Sequence, residues 1–145
     1  MFFKIVSLIL LSAVLMFGGD YVIKDSKYSV AKTVKNIQDI SKKKGLEVYG
    51  VIDHRASAKK AGMDMTDETV IMIGKAKIGT RFMLRDPKSG IELPYRILVY
   101  KDYDGKTKVM YLDPKAFEKR FDLSGCGVIP KIDKTLNMIT DKAIQ

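Results

Sequence analysis

The sequence predicts an α+β fold: a four- to five-stranded mixed or antiparallel sheet with helices on one face, of β-α-β-β-α type, plus a C-terminal helix. Three observations carry this. Short β-rich runs and helical apolar stripes alternate closely along the chain, which points to layered helix and sheet. Two β-rich runs, Tyr95–Lys101 and Lys106–Leu112, flank an Asp-Gly turn at Asp104-Gly105, a strong short-range hairpin signal. Finally, Ile132, Leu136, Ile139 and Ala143 follow at spacings of four, three and four, one face of a last helix.

The remaining elements follow in order. Tyr21-Val22-Ile23 is a short strand. Ser29 then stands as N-cap before an apolar stripe of Val30, Val34, Ile37 and Ile40, and three lysines before Gly45 close that helix near residue 44. Leu46–Ile52 is β-rich and ends at Asp53-His54, and a short helix over Ala56–Ala61 ends at Gly62. Thr69–Gly74 is a continuous apolar run that suits a central strand buried on both faces. Gly74–Thr80 reads as a strand-to-helix turn, with Phe82, Met83 and Leu84 as a short helix halted before Asp86-Pro87. Asp113-Pro114 supplies an N-cap and a first-turn proline, and Phe117 and Phe121 share one side of the helix that follows.

Met1–Gly19 is a separate object. Lys4 precedes an unbroken run of apolar and small residues from Ile5 to Phe17, the layout of a signal peptide, too short for a spanning helix of about 20 residues. An uncleaved N-terminal anchor is the alternative. Either way residues 20–145 form a single domain outside the cytoplasm, periplasmic or secreted, and membrane-anchored if the segment is not cleaved. The chain of 145 residues has a formal charge of +9, which becomes +8 once Lys4 leaves. Lysines outnumber arginines and are dispersed, without the focused basic and aromatic face of nucleic-acid binders, so no nucleic-acid partner is expected. One Cys and one His exclude a disulfide framework, a Cys-rich metal site and a three-His zinc site within one chain.

Four segments could carry chemistry. Asp53-His54 lies where a strand yields to a helix. His is the commonest metal ligand and titrates near neutrality, although the simpler reading is that Asp53 caps the helix and His54 hydrogen-bonds locally. Covalent haem is excluded because Cys-x-x-Cys-His is absent. Non-covalent haem could draw its axial ligand from His54, Met63, Met65, Met83, Tyr95 or Cys126. Gly74-Lys75-Ala76-Lys77-Ile78-Gly79-Thr80 has the outline of a phosphate loop but lacks its Lys between Gly79 and Thr80. Its two lysines beside a helix start would still favour an anion. Cys126, between glycines, reads as an accessible thiol without an activating neighbour.

The ordered series Ser29–Val34, Gly45–Val48, Ile52-Asp53-His54, Ile73-Gly74, Gly79-Thr80, Met83, Gly90–Tyr100, Asp104-Gly105 and Tyr111–Pro114 resembles the domain of unknown function 302 family. The resemblance runs from about Tyr28 to Ala143. It implies a fold similar to the TATA-binding protein and a homodimer, but no established activity. After Gly74 that family tends to place Asn-Pro-Lys, whereas here Lys75-Ala76-Lys77 stands and the turn-forming Asn and Pro are absent. A homodimer would let two His54 side chains face one ligand.

The expectation is an exported, homodimeric small-ligand or cofactor-binding protein. Its ligand would lie near Asp53, His54, Gly74, Lys75, Lys77, Gly79, Thr80, Met83 and Pro94, with His54 as the metal or haem candidate. An accessory module for another exported protein is the alternative, and an enzyme using Asp53-His54 ranks below both because no nucleophile and base are visibly paired.

Overall fold

The computed structural model describes residues 19–145. The segment read as an export signal falls almost wholly outside these described residues. Among them, no helix is long and apolar enough to cross a membrane.

Five strands form one antiparallel sheet. They are β1 (Tyr21–Ser26), β2 (Glu47–Asp53), β3 (Glu68–Gly74), β4 (Tyr95–Lys101) and β5 (Thr107–Leu112), in the spatial order β1-β5-β4-β3-β2. The helices are α1 (Val30–Lys43), α2 (His54–Lys60), α3 (Ala76–Arg85), α4 (Pro114–Arg120) and α5 (Ile129–Ile144), and a 3-10 helix spans Pro87–Glu92. The fold is α+β, as the sequence predicts.

Alternation in the strands sets which face is buried. Ile71 and Ile73 of β3, Ile97 and Val99 of β4, and Val109 and Tyr111 of β5 point to the helical side and are buried. α1 lays Val30, Val34 and Ile37 on this surface, and α5 adds Leu136, Ile139 and Ala143 beside it. Polar ties fix the helices. The Lys24 ammonium donates to Asn137 Oδ1 and Thr140 Oγ1, each at 2.9 Å, and pairs with Asp141 at 2.7 Å, joining β1 to α5. The Asn36 amide donates to the Ala143 carbonyl at 3.0 Å, joining α1 to α5.

Local signals explain the element ends. The Ser29 and Asp113 side chains cap α1 and α4 as expected. The β4–β5 turn closes at Gly105, whose φ of 79° suits a residue without Cβ. Two expectations are corrected. First, β3 is fully buried on one face only: Val70, Met72 and Gly74 alternate with the buried residues and stay partly open, because α1 packs against the other side. Secondly, α3 begins at Ala76, so Gly79 and Thr80 lie inside a helix rather than in a turn. The Ile78 and Gly79 amides both donate to the Lys75 carbonyl, at 2.8 and 3.0 Å, and Ile78 and Phe82 give the helix an inward side.

Candidate functional site

A cleft of about 570 Å³ opens beside the Gly74 end of the β2–β3 pair. Its volume lies in the range typical of small-ligand pockets. Leu46, Ile73, Ile78, Phe82, Leu93 and Leu136 give it an apolar interior. The walls come from the loop after α1, from β3 and α3, from the segment leading into β4, and from α5. Behind it the aromatic rings stack: Phe117 lies 5.6 Å from Phe82 and 5.4 Å from Tyr95 between ring centroids. Tyr95 donates its hydroxyl to the Leu112 carbonyl at 2.7 Å, and burial pushes its phenol well above the ordinary range.

A β-bulge shapes one wall. The β2–β3 register slips between Val48 and Gly50, leaving Tyr49 as the extra residue. Its ring turns over Gly74: a Cβ there would stand 3.2 Å from Tyr49 Cε2. Tyr49 is half exposed, and desolvation followed by the nearby Glu47 raises its phenol. Gly79 presents open space to the cleft, since an added Cβ would meet only Leu93 Cδ1, at 3.6 Å.

Charge at this site is of one sign. Lys44, Lys75 and Lys131 line the cleft and are exposed, and none forms an ion pair among the described residues. No Asp or Glu of the described residues lines it. The uncharged polar side chains are Tyr49, Thr80, Tyr95 and Thr135, and the Tyr95 and Thr135 hydroxyls are already donated, to the Leu112 and Lys131 carbonyls.

The expected site residues divide in two. Gly74, Lys75, Gly79, Thr80, Met83 and Pro94 all line the cleft, with the Leu93-Pro94 peptide cis. Lys77, Asp53 and His54 are not among the residues that line it. The expectation that His54 and the Gly74–Thr80 segment share one ligand meets the geometry of an antiparallel pair. Asp53 is level with Thr69 and Glu47 with Gly74, so the two groups stand at opposite ends, about 17 Å apart along the strand. Asp53 instead accepts from the Ala56 amide at 2.8 Å and caps α2, and the neighbouring Arg55 pairs with Asp67 at 2.8 Å. No three of His, Cys, Asp and Glu gather into a metal-holding group among the described residues. Cys126 packs against the core with its thiol 3.9 Å from the Arg81 carbonyl.

Sequence reasoning missed Tyr49, Lys44, Leu46 and Lys131. A break in the alternation at Tyr49-Gly50 was the available signal for the bulge. The others read as helix ends and core residues.

Fold and cleft together define a small antiparallel α+β domain with a lateral apolar pocket. The chain belongs to the family described as Domain of unknown function DUF302, which matches residues 22–139. A crystal structure of an uncharacterized conserved DUF302 protein from Bacillus stearothermophilus shares the fold, with a TM-score of 0.74 and 18% identity over 85% of this chain and 97% of that one. Two curated relatives, both called Fluoride-specific ion channel FluC 1, come from Brucella suis biovar 1 and Brucella abortus biovar 1. Each is 32% identical over 99 residues, 68% of this chain. This chain spans only 39% and 37% of their lengths.

Proposed function

We propose that this chain is an exported small-ligand-binding domain whose ligand occupies the cleft flanked by β3, α3 and α5. The observation that carries the reading is the cleft itself: about 570 Å³ of largely apolar space with few polar groups. The site is centred on Gly74, Gly79 and Tyr49, and His54 takes no part in it. Uptake of the neutral fluorescent probe N-phenyl-1-naphthylamine tests it. Gly79→Phe places a ring into the cleft at a helical position where Phe has a higher helix propensity than Gly. Probe uptake should be lost in Gly79→Phe and kept in His54→Ala; equal uptake in wild type and Gly79→Phe overturns the reading. Export rests on Met1–Gly19. A mature N-terminus near Asp20 in the exported fraction supports it, and an intact Met1 in the cytoplasmic fraction contradicts it.

A second reading, an interaction module, is favoured by the sheet face that the described helices leave open, and the partner it fits is a second copy. One cross-strand row there is apolar from edge to edge: Ile23, Met110, Leu98, Val70 and Ile52 are successive register partners. Two such faces stacked about an axis along β4 would set Ile23 over the partner's Ile52 and Met110 over the partner's Val70. Lys108 would face the partner's Glu68, while Arg96 stays neutralised by Glu92 at 2.8 Å. Sedimentation equilibrium tests this: a dimer that Leu98→Glu converts to monomer supports it, and a wild-type monomer overturns it. In the Brucella relatives the matching stretch is part of a longer protein, which suits a module of this kind.

A further inference from the structure

We infer that the cleft takes an amphiphilic anion: an apolar chain or ring body carrying a single anionic head, carboxylate or phosphate monoester. The inference rests on the proposed use of the cleft and names its ligand class. Lys44 ends α1, Lys75 precedes α3 and Lys131 lies in the first turn of α5, yet the fold brings all three to the lining of one apolar space. Some cations elsewhere are neutralised, as Lys24 is by Asp141 and Lys108 by Asp25 and Asp104, and others are solvated surface lysines; what sets these three apart is their place around one apolar space. At the cleft no carboxylate of the described residues answers the three ammonium groups, so an anion entering it meets charge of the opposite sign only. Because the three lysines are exposed while the interior is apolar, the head belongs at the mouth and the body inside. A polyanion such as a nucleotide fits less well, since its base and sugar would find mainly Leu, Ile, Phe and Met.

Displacement of N-phenyl-1-naphthylamine by a matched set tests the class: decanoate, decyl phosphate and decanol, with octanoate and dodecanoate for chain length. At least one of the two ten-carbon anions should bind about tenfold more tightly than decanol, the size of one charged hydrogen bond. The preferred anion identifies the head. Among the carboxylates, affinity should rise up to about fourfold per added methylene. The double variant Lys75→Met/Lys131→Met should lose most of the preference for the anion while binding decanol as before. Decanol binding as tightly as both anions, or a double variant that keeps the preference, overturns the class and leaves the small-ligand reading standing. Failure of the probe itself to enter wild type overturns both.

Discussion

The two ends of the β2–β3 pair are built from similar parts and do opposite things. At each, a strand gives way to a helix and polar residues cluster. At the Asp53 end these residues satisfy one another: Asp53 caps Ala56, Ser57 donates to the Asp53 carbonyl at 3.0 Å, and Arg55 pairs with Asp67. At the Gly74 end, Lys75 stands at the N-cap of α3 without a capping side-chain bond, Tyr49 is swung over Gly74 by a bulge, and apolar side chains enclose open space. Residue type alone therefore misleads. A His beside an Asp looks like chemistry, but the Asp53 carboxylate is taken up in capping α2, whereas ordinary Leu, Ile and Lys residues make the cavity.

Four changes sharpen that contrast, from the largest effect downward. Phe117→Ala removes the ring on which Phe82 and Tyr95 rest, behind the cleft. It should cost about 3–5 kcal/mol in urea unfolding, with the probe site lost as well. Asp53→Ala, at the other end, should cost about 1 kcal/mol through the lost cap and leave probe affinity unchanged. A fall in probe affinity there would mean that the two ends are coupled.

Tyr95→Phe probes the cleft end through pH. Burial raises the folded-state phenol, so the stability it contributes is full below about pH 10, the ordinary tyrosine value, and is lost as pH rises through the folded value. Wild type should therefore weaken on the alkaline side more steeply than Tyr95→Phe in thermal unfolding at stepped pH. Parallel curves would show that another group governs that limb. His54→Ala should be the mildest, within about 0.5 kcal/mol of wild type and with full probe uptake.

Much of the fold was legible because its signals are local. Ser29 and Asp113 cap helices where their spacing said they would, and Asp104-Gly105 turns the hairpin. α3 was harder. Gly74, Lys75, Lys77 and Gly79 look like a loop, and the helix is held by packing of Ile78 and Phe82 that local propensity does not register. The open face of β3 was hidden for a related reason, since a continuous apolar run looks the same whether a helix or solvent lies beyond it. Six of the nine expected site residues fell in the cleft because Gly74–Met83 is contiguous in sequence and Pro94 follows across a short 3-10 helix. Lys44 and Lys131 could not be joined to them from sequence, because only the sheet order and α5 bring those segments together.

The most direct test is an amide chemical-shift map of the wild-type domain titrated with decanoate. The account predicts that the signals of Gly74, Gly79 and Gly90, the last also in the cleft lining, move in a saturable way while those of His54–Gly62 stay still. Shifts centred on His54, or none at the three glycines, would contradict it.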